Sequence, residues 1–289
     1  MRIVLENEYG KFEMGGGTHP VARIQEKSGF GLVDKEATTV TFSGQAGRTT
    51  TDIRDTERTI TLLIDFYGEP GKVEKLYSIL HYPVNIKCFF GARRRQISGR
   101  ILNATEIEEI IYHRWQSLAL QFVCDNPYFT DFEDNIIELA KPVNHLPNVI
   151  EDGKWYIALP VVATTIDAIS KVDNRGNIKT YPVVSIFSAK ITNNTPEVYG
   201  ITVKNITTGK KIHLEYNISV SEVITVDIPK RKITSNMYGD ITNKISDDTV
   251  LSEFYLDIGI NEIQITSLSS EDRISGRLVY KNNYVSAVM

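Results

Sequence analysis

Apolar and polar residues alternate with a period of two through much of the chain, which predicts strands rather than helices. Ile60, Leu62, Ile64 and Phe66 fall on one face of such a strand, with Thr59, Thr61 and Asp65 on the other. Leu118, Leu120, Phe122 and Cys124 repeat the pattern until Asp125-Asn126-Pro127 ends it. Residues 84–90 and 94–102 flank Gly91-Ala92 and predict a long hairpin, and residues 104–112 extend the same sheet. One stretch has a helical period. Val73, Leu76, Tyr77 and Leu80 lie at i, i+3, i+4 and i+7, Pro70 suits a first turn and Pro83 stops the helix. That stripe predicts a helix laid over one face of the sheet.

From residue 131 the alternation breaks down. Asp131, Glu133, Asp134, Pro142, Pro147 and Asp152-Gly153 interrupt it, which predicts a connector at 131–153 between a first domain at 1–130 and a second at 154–289. Beyond the connector, short alternating pieces return at 182–187, 199–205, 211–216, 223–228, 253–257 and 261–266, and Leu278, Tyr280 and Val285 supply a last strand. Turn signals separate them: Asn174-Arg175-Gly176-Asn177, Thr208-Gly209, Tyr238-Gly239-Asp240 and Asn282-Asn283. Many short strands at this spacing predict an antiparallel sandwich or jelly roll. The expected class is mainly β.

Composition narrows the role. The 289 residues are 42% hydrophobic and 24% charged, ample material for a packed core and for two domains. No apolar run approaches the ~20 residues of a membrane span, and Glu6 and Glu8 fall where a signal peptide needs an apolar stretch. The net charge is −4; up to Asn135 there are 16 basic against 19 acidic residues, and beyond it 16 against 17. Neither part is a basic surface for tight nucleic-acid binding. The two cysteines, Cys88 and Cys124, read as buried thiols of a protein made in a reducing cytosol.

Candidate chemistry is sparse. His19, His81, His113, His145 and His213 stand at no metal-ligand spacing, so no metal, cofactor or catalytic residue is expected. Gly15-Gly16-Gly17 and Gly29-Phe30-Gly31 lack the helix start and Lys of a phosphate loop and read as turns. Glu106 and Glu108, two apart on a strand, would share a face, which leaves a glycosidase pair open beside the commoner solvated face. Arg93-Arg94-Arg95 is the densest charge cluster; it reads as a solvated hairpin tip or as a contact for phosphate or for an acidic protein surface. Trp155, Tyr156, Tyr181 and Tyr199 are aromatics that could stack on sugar rings, the alternative being burial in the core.

Several segments in order resemble the distal tail protein (Dit) family of long-tailed, siphophage-type bacteriophages. They are Val40-Thr41-Phe42-Ser43-Gly44-Gln45-Ala46-Gly47, the strand that follows it, the single helix, the hairpin ending Gln96-Ile97-Ser98-Gly99-Arg100-Ile101, and Leu120-Gln121-Phe122-Val123-Cys124-Asp125-Asn126-Pro127-Tyr128-Phe129. In the second half, Asn174-Arg175-Gly176-Asn177 with Thr180-Tyr181-Pro182-Val183, then Asn205 to Gly209, Val226-Asp227-Ile228 and Gly259 to Ile263 follow suit. The resemblance implies a ring-forming N-terminal domain and a peripheral galectin-like sandwich. It implies a structural, non-enzymatic role: a hexameric ring at the distal end of the tail, in a virion built in the bacterial cytoplasm. The implied partners are further copies of the chain, the tail tube, the tape measure and tail-associated hub proteins, and receptor-binding proteins. DNA would be passing cargo only. Two other readings stay open: a carbohydrate-binding module for the host wall, and the same ring in a phage-tail-like bacteriocin.

Overall fold

The alternating runs become strands, and their apolar faces become two separate cores. The computed structural model describes residues 1–16, 22–44, 46–67, 70–110, 115–139, 148–151, 154–157, 169–188, 198–219, 221–268 and 274–288. The chain divides into two units, Met1–Glu133 with Asn283–Met289, and Asp134–Asn282.

The first unit contains β1 (Arg2–Asn7), β2 (Gly10–Gly15), β3 (Ala22–Ser28), β4 (Lys35–Val40), β5 (Thr49–Asp55), β6 (Arg58–Tyr67), α1 (Pro70–Leu80), β7 (Val84–Phe90), β8 (Arg93–Ile110), β9 (Trp115–Cys124) and β10 (Phe129–Thr130). Pairing runs β2-β1-β7-β8-β9-β6-β3. The expected hairpin is present, closed by the two-residue turn Gly91-Ala92 between paired Phe90 and Arg93. Its second strand is longer than predicted. Residues 93–99 of β8 pair with β7, and from Arg100 onward β8 pairs with β9 instead. Gly99 stands at this change of partner, where a Cβ would come within 2.8 Å of Cys124 Sγ. A strand that changes partner in mid-course lets two faces close over one core.

That core is formed by the predicted faces. Ile60, Leu62, Ile64 and Phe66 from β6 meet Leu118, Leu120, Phe122 and Cys124 from β9, with Ile3, Leu5 and Met14 beside them. Each such side chain contributes about 1.5–3 kcal/mol when fully buried. The helix forms where expected, but its buried face is turned. Leu76, Ile79 and Leu80 enter the core, whereas Tyr77 is exposed. The i, i+3, i+4 set that fits the sheet starts from Leu76, and Tyr77 falls one position to its outer side.

The second unit contains β11 (Asn135–Leu139), β12 (Asn148–Glu151), β13 (Lys154–Ile157), β14 (Ile169–Asn174), β15 (Val183–Ser188), β16 (Val198–Asn205), β17 (Lys211–Ile218), β18 (Val223–Asp227), β19 (Lys232–Ser235), β20 (Gly239–Asp240), β21 (Gly259–Ser267) and β22 (Ile274–Tyr280). A six-stranded sheet, β11-β22-β15-β18-β19-β20, and a four-stranded sheet, β14-β21-β16-β17, are antiparallel throughout. They share a core that includes Val184, Ile186, Ile201, Val203, Ile224, Val226, Ile263 and Leu278. The sandwich predicted from short alternating strands is present.

Three expectations differ from the structure. The start of the predicted connector is β11, which pairs with β22 and buries Leu139; its charged and proline neighbours hid a five-residue strand. The stretch 253–257 is no strand: a 3-10 turn (Leu251–Glu253) leads into a single bridge between Leu256 and Thr180. Its backbone is satisfied by side chains instead. Asn205 Nδ2 donates to Tyr255 O at 2.8 Å, Asn174 Nδ2 to Leu256 O at 3.3 Å, and Asn261 Nδ2 to Asp257 O at 2.7 Å. All three asparagines are buried, which satisfies carbonyls that a ladder would otherwise hold. The third difference is at the end of the sequence. Residues 283–289 belong to the first unit, where Asn283–Tyr284 forms β23 against β10.

Candidate functional site

The arginine cluster of the hairpin tip lies at the start of β8. Successive strand residues face opposite ways, so Arg93 and Arg95 share a side that Arg94 does not. Arg93 Nη1 donates to Val288 O at 2.8 Å and Arg95 Nη1 donates to Ser286 O. The Arg95 guanidinium also lies 3.8 Å from the centre of the Tyr284 ring. Burial pulls the Arg95 pKa down from its ordinary value. Two of the three arginines thus hold the chain's own returning segment, a use weighed neither as solvated turn nor as docking point. Arg94 is exposed.

A residue that sequence reasoning passed over completes this arrangement. Arg58 opens β6 and is buried. Its Nε donates to Pro127 O at 2.6 Å, Nη1 to Gly29 O at 2.6 Å and Gly31 O at 3.0 Å, and Nη2 to Val285 O at 2.6 Å. Its guanidinium lies 4.8 Å from the Phe129 ring centre. A guanidinium has five N–H donors in a fixed fork, so one buried Arg can tie several carbonyls together. Burial lowers its pKa. The turn Gly29-Phe30-Gly31 therefore supplies acceptors to a cation and cradles no anion. Gly29 has φ +82°, and a Cβ there would sit 2.1 Å from Thr59 O. The only signal in the sequence was an Arg placed just ahead of an apolar alternation.

The second feature is a ribbon. β4 and β5 pair only with each other, apart from the main sheet. Every residue of the two strands is exposed except half-buried Asp55. The exposed residues include Ile53 at 58% and, in the loop beyond β4, Phe42 at 53%. Pairs Arg54–Glu36 at 2.6 Å and Lys35–Asp55 at 3.4 Å cross the ribbon, and Tyr128 Oη donates to Asp55 Oδ2 at its base. The ribbon ends at Val40, the first residue of the first family-like motif, and Phe42 lies in the loop beyond it.

The remaining candidates do not converge. Glu106 and Glu108 lie on β8 with a register shift between them, and their side chains are outside the described residues. Tyr181 packs against the second core just ahead of β15, in the six-stranded sheet. Tyr199 is exposed on β16, in the four-stranded sheet. Trp155 lies on β13 and its side chain is outside the described residues, as are Tyr156, His19, His113 and His145. His213 Nδ1 is 2.8 Å from Thr202 Oγ1, and His81 packs edge-on against Tyr82. Among the described residues no cluster of His, Cys, Asp or Glu could hold a metal ion.

Two mainly antiparallel units, the first with one α-helix among the described residues, and arginines that hold main-chain carbonyls define a mainly β protein. Residues 175–284 match the family described as siphovirus-type tail component, C-terminal domain. The fold is similar to the crystal structure of SPP1 Dit, described as a paradigm of the hub adsorption apparatus in phages that infect Gram-positive bacteria. The TM-score is 0.64 at 15% identity, over 90% of this chain and 92% of that one. It is also similar to a chain of the phage P2 baseplate in its activated, Ca-containing conformation, with a TM-score of 0.51 at 11% identity over 96% and 97% of the two chains. No curated protein matches the chain. Residues 175–284 therefore carry a siphovirus-type tail component domain, and the fold of the chain is similar to that of SPP1 Dit.

Proposed function

We propose that the chain is a non-enzymatic building block of the tail tip, assembled as a closed ring of six copies at the distal end of the tail. The first unit forms the ring. The second is peripheral and carries receptor-binding proteins, while the ring joins the tail tube and tape measure to the hub protein and lets DNA pass. The particle is a virion, built in the bacterial cytoplasm.

The observation that carries this reading is the β4–β5 ribbon. A two-stranded ribbon without a core is marginal in water. Its outer edges offer unpaired backbone groups, which proteins ordinarily cover. A neighbouring copy would supply the missing surface, and closed rotational symmetry covers every copy's ribbon at once. The net charge of −4 per copy supports a passage that does not bind DNA tightly.

Light scattering and electron microscopy test this. The expected result is a mass six times 32.6 kDa and a ring. Replacing residues 36–54 with a short turn should leave a folded monomer. A monomer at all concentrations for the unaltered chain, or normal rings without the ribbon, would overturn it.

A further inference from the structure

The returning segment lies in the first unit much as a bound peptide would. Asn283 and Tyr284 extend the sheet as β23, pairing with Thr130 and Phe129 of β10. Beyond them, three guanidinium groups take three main-chain carbonyls: Arg58 that of Val285, Arg95 that of Ser286 and Arg93 that of Val288. Phe30 O accepts from Ser286 Oγ and from the Ala287 amide, both at 3.0 Å. Ser286 and Ala287 are fully buried, and Ala287 belongs to the first core. The receiving groups come from β8, β10, the start of β6 and the turn at Phe30, all early in the chain.

We propose that these groups form a peptide-binding groove on the first unit, and that its ligand is the segment 283–288 as a separable strand. Main-chain hydrogen bonds provide the affinity. The slot for two small residues, Ser286 and Ala287, two and three places after the aromatic Tyr284, provides the selectivity. This is strand addition combined with a carbonyl-reading arginine row. The groove and its ligand are separated in sequence by the whole second unit, which is therefore tied to the first by two strands, β10 and β23, that are hydrogen-bonded neighbours. Release of the segment would open the groove and leave one covalent connection. A second copy's segment, or a free peptide of this sequence, would fill the same groove. The proposal does not depend on ring formation.

Amide hydrogen exchange on the full chain is the first test. The Ala287 amide should exchange on the order of a thousandfold slower than in an unstructured peptide, and Arg58→Gln with Arg95→Gln should remove most of that protection. Exchange at the unstructured rate in the unaltered chain would overturn the proposal. The second test uses a chain ending at Asn282 and a labelled peptide of residues 281–288. Saturable one-to-one binding is expected, lost with Ala287→Asp in the peptide and absent for the full chain, whose groove is filled. Binding indifferent to Ala287→Asp would refute the groove. If the shortened chain is insoluble, Ala287→Asp in the full chain decides. It should lower the unfolding transition of the first unit and leave that of the second in place, and no change in the first would refute the proposal.

Discussion

Cys88 and Cys124 show what burial does to a single group. Both are free and buried, and burial pushes the Cys88 thiol up to about 12 and the Cys124 thiol up to about 11 from an ordinary 9.0. A raised thiol pKa means that the folded protein holds the proton more tightly than the unfolded chain does. The contribution is therefore intact below pH 9.0 and is lost as pH rises through 11 and 12. Native protein at neutral pH should not react with iodoacetamide, and both thiols should react after unfolding in urea, as mass spectrometry would show. Tyr216 in the second unit obeys the same sign. Burial, then its hydrogen bond at 2.8 Å to the buried Glu222, raises it from 10.0 to about 12. Part of the second unit's stability should thus fade between pH 10.0 and 12, and Tyr216→Phe should flatten that decline in a series of thermal melts. Gly29→Ala is the severe substitution. It combines φ +82° with a 2.1 Å clash against Thr59 O, so a loss of more than ~2 kcal/mol in the first unit is expected from denaturant titration.

At the scale of elements, periodicity predicted most strands and missed those with mixed surroundings. β6 and β9 were legible because both bury one strict alternating face. β11 was not, since Ile136 is exposed and only Leu139 of its five residues is fully buried. The ribbon β4–β5 has no alternating apolar face: Thr38, Thr39, Thr50 and Thr51 run along it, with Val40 and Ile53 exposed. Nothing in such a pattern distinguishes a strand from a loop until pairing is seen. Its cross-strand charge pairs are exposed and screened by water, so they contribute little to stability. Arg54→Ala is accordingly expected to change the melting of the isolated subunit by less than 2 °C, measured by circular dichroism.

For the whole molecule, two cores predict two unfolding events. The core around Phe122 and the core around Ile224 share no residue. A calorimetric scan of the full chain should show two transitions. Leu120→Ala should lower one by the equivalent of ~2–5 kcal/mol and Val226→Ala the other by a smaller amount. A single transition shifted by both substitutions would mean that the units unfold together.

Alternation by itself determined that this is a β protein with one helix, where β6, β7, β9, β15 and β18 run, and which of their faces are buried. Those properties follow from side chains two residues apart, so a local reading suffices. Order and spacing of short motifs determined the family resemblance. The tertiary structure alone decided that Arg93 and Arg95 close on Ser286 and Val288, that Arg58 gathers four carbonyls, and that residues 283–288 complete the first unit. Each of those contacts joins positions up to 227 apart in sequence. Guanidinium groups that recognise main-chain carbonyls read geometry rather than side chains. No residue type at the far end therefore announces them, and only the folded backbone brings donor and acceptor together.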